Sequence, residues 1–168
     1  MKKLNKKASI QDIVMFAIVI FFLAVISLIG YKVYDSFNTE LQGNFNDTLG
    51  INESRYASES VNNMFGGILD NAFLFFMIGL GIVAFVLASL VRVNPVFLIF
   101  FVIVLIIIIF ISAIFSNIYG DIASDPNFVA LADDLIFMSH VMQFLPFIVG
   151  ILGSVLAIVM YKGYKDEV

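Results

Sequence analysis

The sequence predicts an all-α integral membrane protein: four transmembrane helices and a small helical outer cap, forming a single membrane domain over residues 1–168. Three observations carry this. Of 168 residues, 61% are hydrophobic and 13% charged, against roughly 45–50% and about 25% in soluble domains. Four apolar stretches reach the roughly 17–25 residues that a helix needs to cross a hydrocarbon core about 30 Å thick. Basic and acidic residues also segregate to opposite ends of those stretches.

The first span, Ile13–Tyr31, follows Lys2, Lys3, Lys6 and Lys7. Its apolar run exceeds the roughly 7–15 residues of a cleaved signal and no small-x-small site follows, so a retained anchor is expected. The start Lys6-Lys7-Ala8-Ser9-Ile10 resembles the cleavage region of archaeal pilin-type precursors. Ser9 departs from that pattern, and three further spans are unlike a pilin.

An outer segment, about 35–71, follows. Tyr34, Phe37, Leu41, Phe45 and Leu49 recur at helical spacing, as do Val61, Met64, Phe65, Ile68 and Leu69, so both flanking spans should continue as amphipathic helices beyond the bilayer. Gly43, Gly50 and the polar stretch between them are expected to turn the chain. The second span is Ala72–Val91. Its Gly79, Gly81, Ala84 and Ala88 allow close helix approach, which drives association in lipid.

Arg92-Val93-Asn94-Pro95 is so short a link that the second and third spans must be antiparallel neighbours, with Pro95 opening the third helix, where a missing N–H costs nothing. That span, Val96–Phe115, is almost wholly Phe, Ile, Leu and Val from Phe97 to Phe110. Without a small face it is expected to meet lipid over most of its surface, the second and fourth spans lying deeper. A second outer segment, about 117–143, contains Asp125-Pro126, read as an N-cap and first position of a short surface helix with Phe128, Val129, Leu131, Leu135 and Ile136. Ser139 is a candidate cap for the fourth span, Phe144–Tyr161, whose Gly150, Gly153, Ser154 and Ala157 form a second set of packing residues.

Seven of the nine basic residues lie at the termini or in the Arg92 link, while the two outer segments hold ten of the thirteen acidic ones. By the positive-inside rule both termini are cytoplasmic. Tyr31, Tyr34, Tyr119, Tyr161 and Tyr164 sit at span ends, where an amphipathic ring prefers the headgroup level.

The four apolar cores contain no ionisable residue, whereas transporters and proton relays place such groups there. Ser27, Ser89, Ser112 and Ser154 are expected to bond their own helix; a pore gated by dewetting stays open as a reading. His140, the one histidine, has no nucleophile or acid beside it in a recognisable constellation. Asp121, Asp125, Asp133 and Asp134 do not match a calcium loop and read as a solvated acidic face. Asn46-Asp47-Thr48 and Asn52-Glu53-Ser54 match the glycosylation pattern, which short polar segments often reach by chance. The chain has no cysteine and a net charge of -4 with pI near 4.7, which argues against a nucleic-acid partner. No cofactor, metal site or catalytic residue is expected, and the chain is not read as an enzyme.

In its lysine-rich start, the run Ala8-Ser9-Ile10-Gln11-Asp12, and anchors around short polar ectodomains, the layout resembles small multi-spanning membrane proteins of lipid-containing bacterial and archaeal viruses. The resemblance is architectural and carries over no functional residue; it implies a viral membrane as one setting. Tetraspanin-like and claudin-like proteins rely on ectodomain cysteines absent here. Holins share the small size, though many have fewer spans. The function expected is that of a structural or scaffolding protein, homo- or hetero-oligomeric, which packs in a bilayer and presents an acidic ectodomain to another membrane, coat or capsid protein. Phe37, Leu41, Phe65 and Leu135 are the expected contact residues of its cap. A small passive pore and an accessory subunit of a larger membrane complex are the alternatives.

Overall fold

The computed structural model describes the backbone of residues 8–49, 52–90 and 95–165, and the side chains of 13–43, 60, 61, 64–86 and 98–161. It is helical, with no strand among the described residues. In chain order the helices are α1 (Ala8–Leu49), α2 (Asn52–Leu90), α3 (Pro95–Ala123), α4 (Val129–Asp134), α5 (Ile136–Gln143) and α6 (Leu145–Lys165). Three of them, α1, α2 and α3, are long and apolar enough to cross a membrane, and α5 with α6 makes a fourth if the bent pair is one span.

α1 has 42 residues and α2 has 39, so at 1.5 Å per residue each is about 60 Å long, twice the hydrocarbon thickness. The two form a helical hairpin whose far half runs past the apolar core. Gly43 lies inside α1, so the expected turn there is corrected: the helix continues to Leu49. Gly50 falls outside the described residues, as do Lys2, Lys3, Lys6, Lys7, Arg92, Val93 and Asn94. The side chains of Phe45, Leu49, Ala88, Lys162, Tyr164, Lys165 and both glycosylation patterns lie outside them too.

The pair α5 and α6 is not one straight helix. Pro146 has no N–H to offer the Met142 carbonyl, so the helical ladder breaks before it, and α5 meets α6 at Phe144 with a bend of 69°. Ser139 consequently sits within α5 rather than capping a span. The short surface helix also starts later than expected. Asp125 closes a turn, its Oδ1 accepting from the Asn127 backbone N–H and side-chain amide, and α4 begins at Val129.

The core centres on α1. Ile13, Phe16, Ala17, Ile20, Ala24, Leu28 and Tyr31 are buried, spaced by one, three or four residues along one face, as a helix with a single packed stripe requires. In its most apolar window 33% of residues are buried, against 22% in α3 and 11% in α2. The expectation that the second span lies deeper than the third is therefore corrected. The reason is that small residues on one helix receive large ones from another. Gly153 of α6 leaves room that Leu105 of α3 fills, since a Cβ at Gly153 would collide with that leucine, and Gly150 lies against Ile109. The leucine- and isoleucine-rich helix thus supplies the projections for the fourth span's recesses. Gly81 faces Leu152 and Ala84 is buried, whereas Gly79 has no packing neighbour within 4 Å of its Cβ position. Ala157 is partly buried against the core and Ser154 is exposed, bonding Gly150 O.

Candidate functional site

The end of the bundle where α1 and α2 run on as a hairpin also holds α4 and α5, and four polar contacts bind it together. The Tyr31 hydroxyl of α1 donates to Asp134 Oδ2 at the end of α4, 2.8 Å away. Asp70 of α2 accepts the backbone N–H groups of Phe137 and Met138 at 2.8 and 2.7 Å, one on each carboxylate oxygen. Those are N–H groups of the first turn of α5, which no residue of its own helix can satisfy, and α5 has no side-chain cap at Leu135. An acid on α2 therefore caps a helix 67 residues later in the chain. Charge-assisted bonds of this kind are roughly twice as strong as neutral ones.

Tyr119 of α3 supplies the third contact, its hydroxyl lying 3.2 Å from Ser139 Oγ. Because Ser139 Oγ donates to the Ala132 carbonyl, its hydrogen is committed, and the tyrosine must be the donor to it. Tyr119, Ser139 and Ala132 form one directed chain from α3 through α5 to α4. The fourth contact runs from Ser116 Oγ of α3 to the Gln143 carbonyl at the end of α5. Tyr31 and Tyr119 are buried within the protein, at 1% and 3% exposure. A buried hydroxyl must find a partner, and these two serve as ties between helices.

Around these ties the apolar residues divide into a packed set and an exposed set. Phe65 stacks on Tyr34 with ring centroids 4.1 Å apart and also approaches Tyr31. Gly66 fits against Tyr31 and Asp134, where a Cβ would come within 3.1 Å of the tyrosine hydroxyl. Leu131, Leu135 and Met138 are buried. Other faces of the hairpin are exposed, at Val33, Met64 and Ile68 beside these ties and at Phe37, Leu41 and Val61 beyond them, while Asn38 is buried.

The expected outer cap is thus corrected: α4 and α5 form one layer fastened to the hairpin's base, while beyond it, among the described residues, Phe37, Leu41 and Val61 are exposed and Asn38 is buried. Phe37 is 61% exposed and Met64 62%. Leu135, expected at a contact surface, is 0% exposed and belongs to the core. Phe65 is half-buried in the hairpin's own packing. Of the four expected contact residues, Phe37 and Leu41 remain available to a partner.

No protein family, curated protein or solved structure matches the chain.

Asp121, Asp125, Asp133 and Asp134 do not converge. Asp134 faces Tyr31 and Asp125 closes its own turn, and among the described residues no three metal-ligating side chains come together. His140 is exposed, and its Nδ1 donates to the Ile136 carbonyl 2.7 Å away within its own helix. The hydroxyl of the neighbouring Ser139 is held by Ala132 and Tyr119. Beside these residues, α3, α4 and α5 enclose a polar cleft of about 620 Å³, lined in part by Ser116, Asn117, Tyr119, Asp121, Asp133 and Ser139.

The sequence reading missed Asp70, Tyr31, Asp134, Tyr119 and Ser139 as a connected set. One signal for Asp70 was present: a single acid between Ile68-Leu69 and Ala72-Phe73 sits where an apolar span begins, and such a group needs a donor. Its partner could not be read, because backbone N–H groups carry no side-chain signature.

Proposed function

We propose that the chain is a structural membrane protein that packs in a bilayer and uses the far half of its α1–α2 hairpin to hold a partner protein layer, such as a coat or capsid. The observation that carries this reading is the set of exposed apolar side chains Phe37, Leu41, Val61 and Met64, on helices that run well past a bilayer's thickness. In this reading these side chains stand beyond the lipid, where exposed apolar surface marks an interaction site. The outer segments carry ten acids and only Lys32 and Arg55 as bases, so a partner with a basic rim around an apolar surface is complementary. Charge of this kind selects the partner more than it strengthens the contact. In this reading both termini are cytoplasmic, the hairpin faces the opposite compartment, and a viral membrane is the setting that the architecture suggests. The bundle's interior supports a structural role, since Phe16, Ile20, Leu28, Leu105 and Val149 fill it with buried apolar side chains.

Photoactivatable residues at Phe37 and Met64, irradiated in the native membrane, test it. A single stoichiometric adduct to a soluble or coat protein is expected. Adducts to lipid alone would overturn the reading, and an adduct to another multi-span protein would replace it with the accessory-subunit alternative. Reconstituted protein should leave trapped ions inside liposomes; rapid release would favour the pore.

A further inference from the structure

A second surface, on the α3–α6 side, combines two cavities of opposite character. The polar cleft between α3, α4 and α5 has a volume of about 620 Å³. An apolar groove of about 500 Å³ lies between α3 and α6, lined by Ile109, Phe147, Gly150, Ile151, Ser154 and Ile158 among others. The two adjoin along α3, the cleft spreading further round the helix, with Asp121 about 120° from Ile109 at 100° per residue. At 100° per residue, Ile109 in the groove and Ser116 and Gly120 in the cleft fall within about 40° of one another, and Gly120 lies about 16 Å along the axis from Ile109. The other wall is shared as well: Gln143 lines the cleft and Pro146, three residues on, lines the groove. The Ser116–Gln143 hydrogen bond marks the junction.

The groove is apolar by construction. Gly150 leaves its floor without a side chain, and the Ser154 hydroxyl turns back to the Gly150 carbonyl at 2.7 Å, presenting no unsatisfied polar group to lipid. The cleft offers hydroxyls, amides and two exposed carboxylates, Asp121 and Asp133, and no basic side chain lines it.

We propose that this face binds one phospholipid of the leaflet at the hairpin end, an acyl chain in the α3–α6 groove and an ammonium-bearing headgroup in the cleft. The argument is one of matched polarity along a single line: an apolar channel, a hydrogen-bonding junction, then an acidic recess, in the order that a lipid presents its parts. The carboxylates select the headgroup, because an anionic one would bring like charge against Asp121 and Asp133. This inference rests on the bundle crossing a bilayer and is independent of the hairpin's partner, which lies on other residues.

The test is native mass spectrometry of the full chain in mild detergent with equimolar phosphatidylethanolamine and phosphatidylglycerol. One bound phosphatidylethanolamine is expected, preferred by about tenfold. Asp121→Asn with Asp133→Asn should remove the preference, and Ser154→Phe, which fills the groove from an exposed position, should lower retention of both lipids. Photoactivatable phosphatidylethanolamine on the wild-type protein should label peptides containing Phe147 and Ile151, and this measurement decides the matter should a variant fail to fold. Equal retention of the two lipids by the wild type, labelling spread evenly over the lipid-facing helices, or competition by soluble phosphoethanolamine as effective as by the lipid would each overturn the proposal.

Discussion

Asp70 shows how much of the hairpin end depends on one carboxylate. It is the cap of α5, and removing it leaves the Phe137 and Met138 N–H groups unbonded in a partly buried place. Stranding a buried donor costs roughly 1–3 kcal/mol, and losing a cap typically about 1 kcal/mol. Asp70→Ala should therefore lower stability by about 1–3 kcal/mol, and Asp70→Asn by less, because one amide oxygen can still accept. Hydrogen exchange read at those two amides checks it: Asp70→Ala should speed their exchange well before that of α3, and unchanged protection would show that the cap does not hold α5. The same reasoning explains what could be read beforehand. That Ser112 and Ser154 bond their own helices followed from their type and place, and both do, to Ile108 and Gly150. That Tyr31 and Tyr119 turn inward did not follow, because a tyrosine at a span end looks the same in sequence whether its hydroxyl meets a headgroup or a side chain of another helix.

Among the helices, the small residues were legible as packing positions, but their partners were not. A glycine announces room for a neighbour without saying which one, and lipid supplies no hydrophobic force to rank the candidates. The structure pairs Gly153 with Leu105. Gly153→Ala should force that leucine aside and cost about 1–3 kcal/mol as an overpacked site, while Leu105→Ala alone leaves a cavity and costs about 2–5 kcal/mol. The double variant should be less destabilised than the sum of the two, by at least about 0.5 kcal/mol, when unfolding is followed in mixed micelles. Strict additivity would separate α3 from α6 at this point. The bend at Phe144 belongs to the same scale. Pro146 was visible in the sequence, yet the apolar run from Phe144 to Tyr161 masked the consequence of its missing N–H.

For the whole molecule, the spans and the helical continuation of α1 and α2 were legible because both rest on periodicity and length, which are local. Whether the continuation folds back on itself was not, since an apolar stripe looks the same in sequence when it packs internally and when it awaits a partner. Orientation is the first consequence to test. With no native cysteine, single replacements Lys3→Cys, Ser58→Cys, Ser124→Cys and Lys165→Cys report sidedness directly. An impermeant reagent applied to intact cells should label positions 58 and 124 and spare 3 and 165, and the reverse pattern would invert the topology. The division of the hairpin into packed and exposed residues gives the sharper prediction. Phe65 stacks on Tyr34 and touches Tyr31, so Phe65→Ala removes internal packing and should cost about 3 kcal/mol, toward the lower end for truncated aromatics because the site is only half-buried. Phe37 is 61% exposed, and exposed substitutions away from such features stay within about 0.5 kcal/mol. Phe37→Ser with Leu41→Ser should therefore leave the unfolding transition in place. In the native membrane the order of effects should reverse: the Phe37 and Leu41 pair should release the partner layer, measured as the protein recovered with it after sedimentation, because both side chains are exposed. If the pair unfolds the hairpin, the stripe is internal after all. If it changes neither stability nor recovery, the partner is held elsewhere and the scaffold reading loses the observation on which it stands.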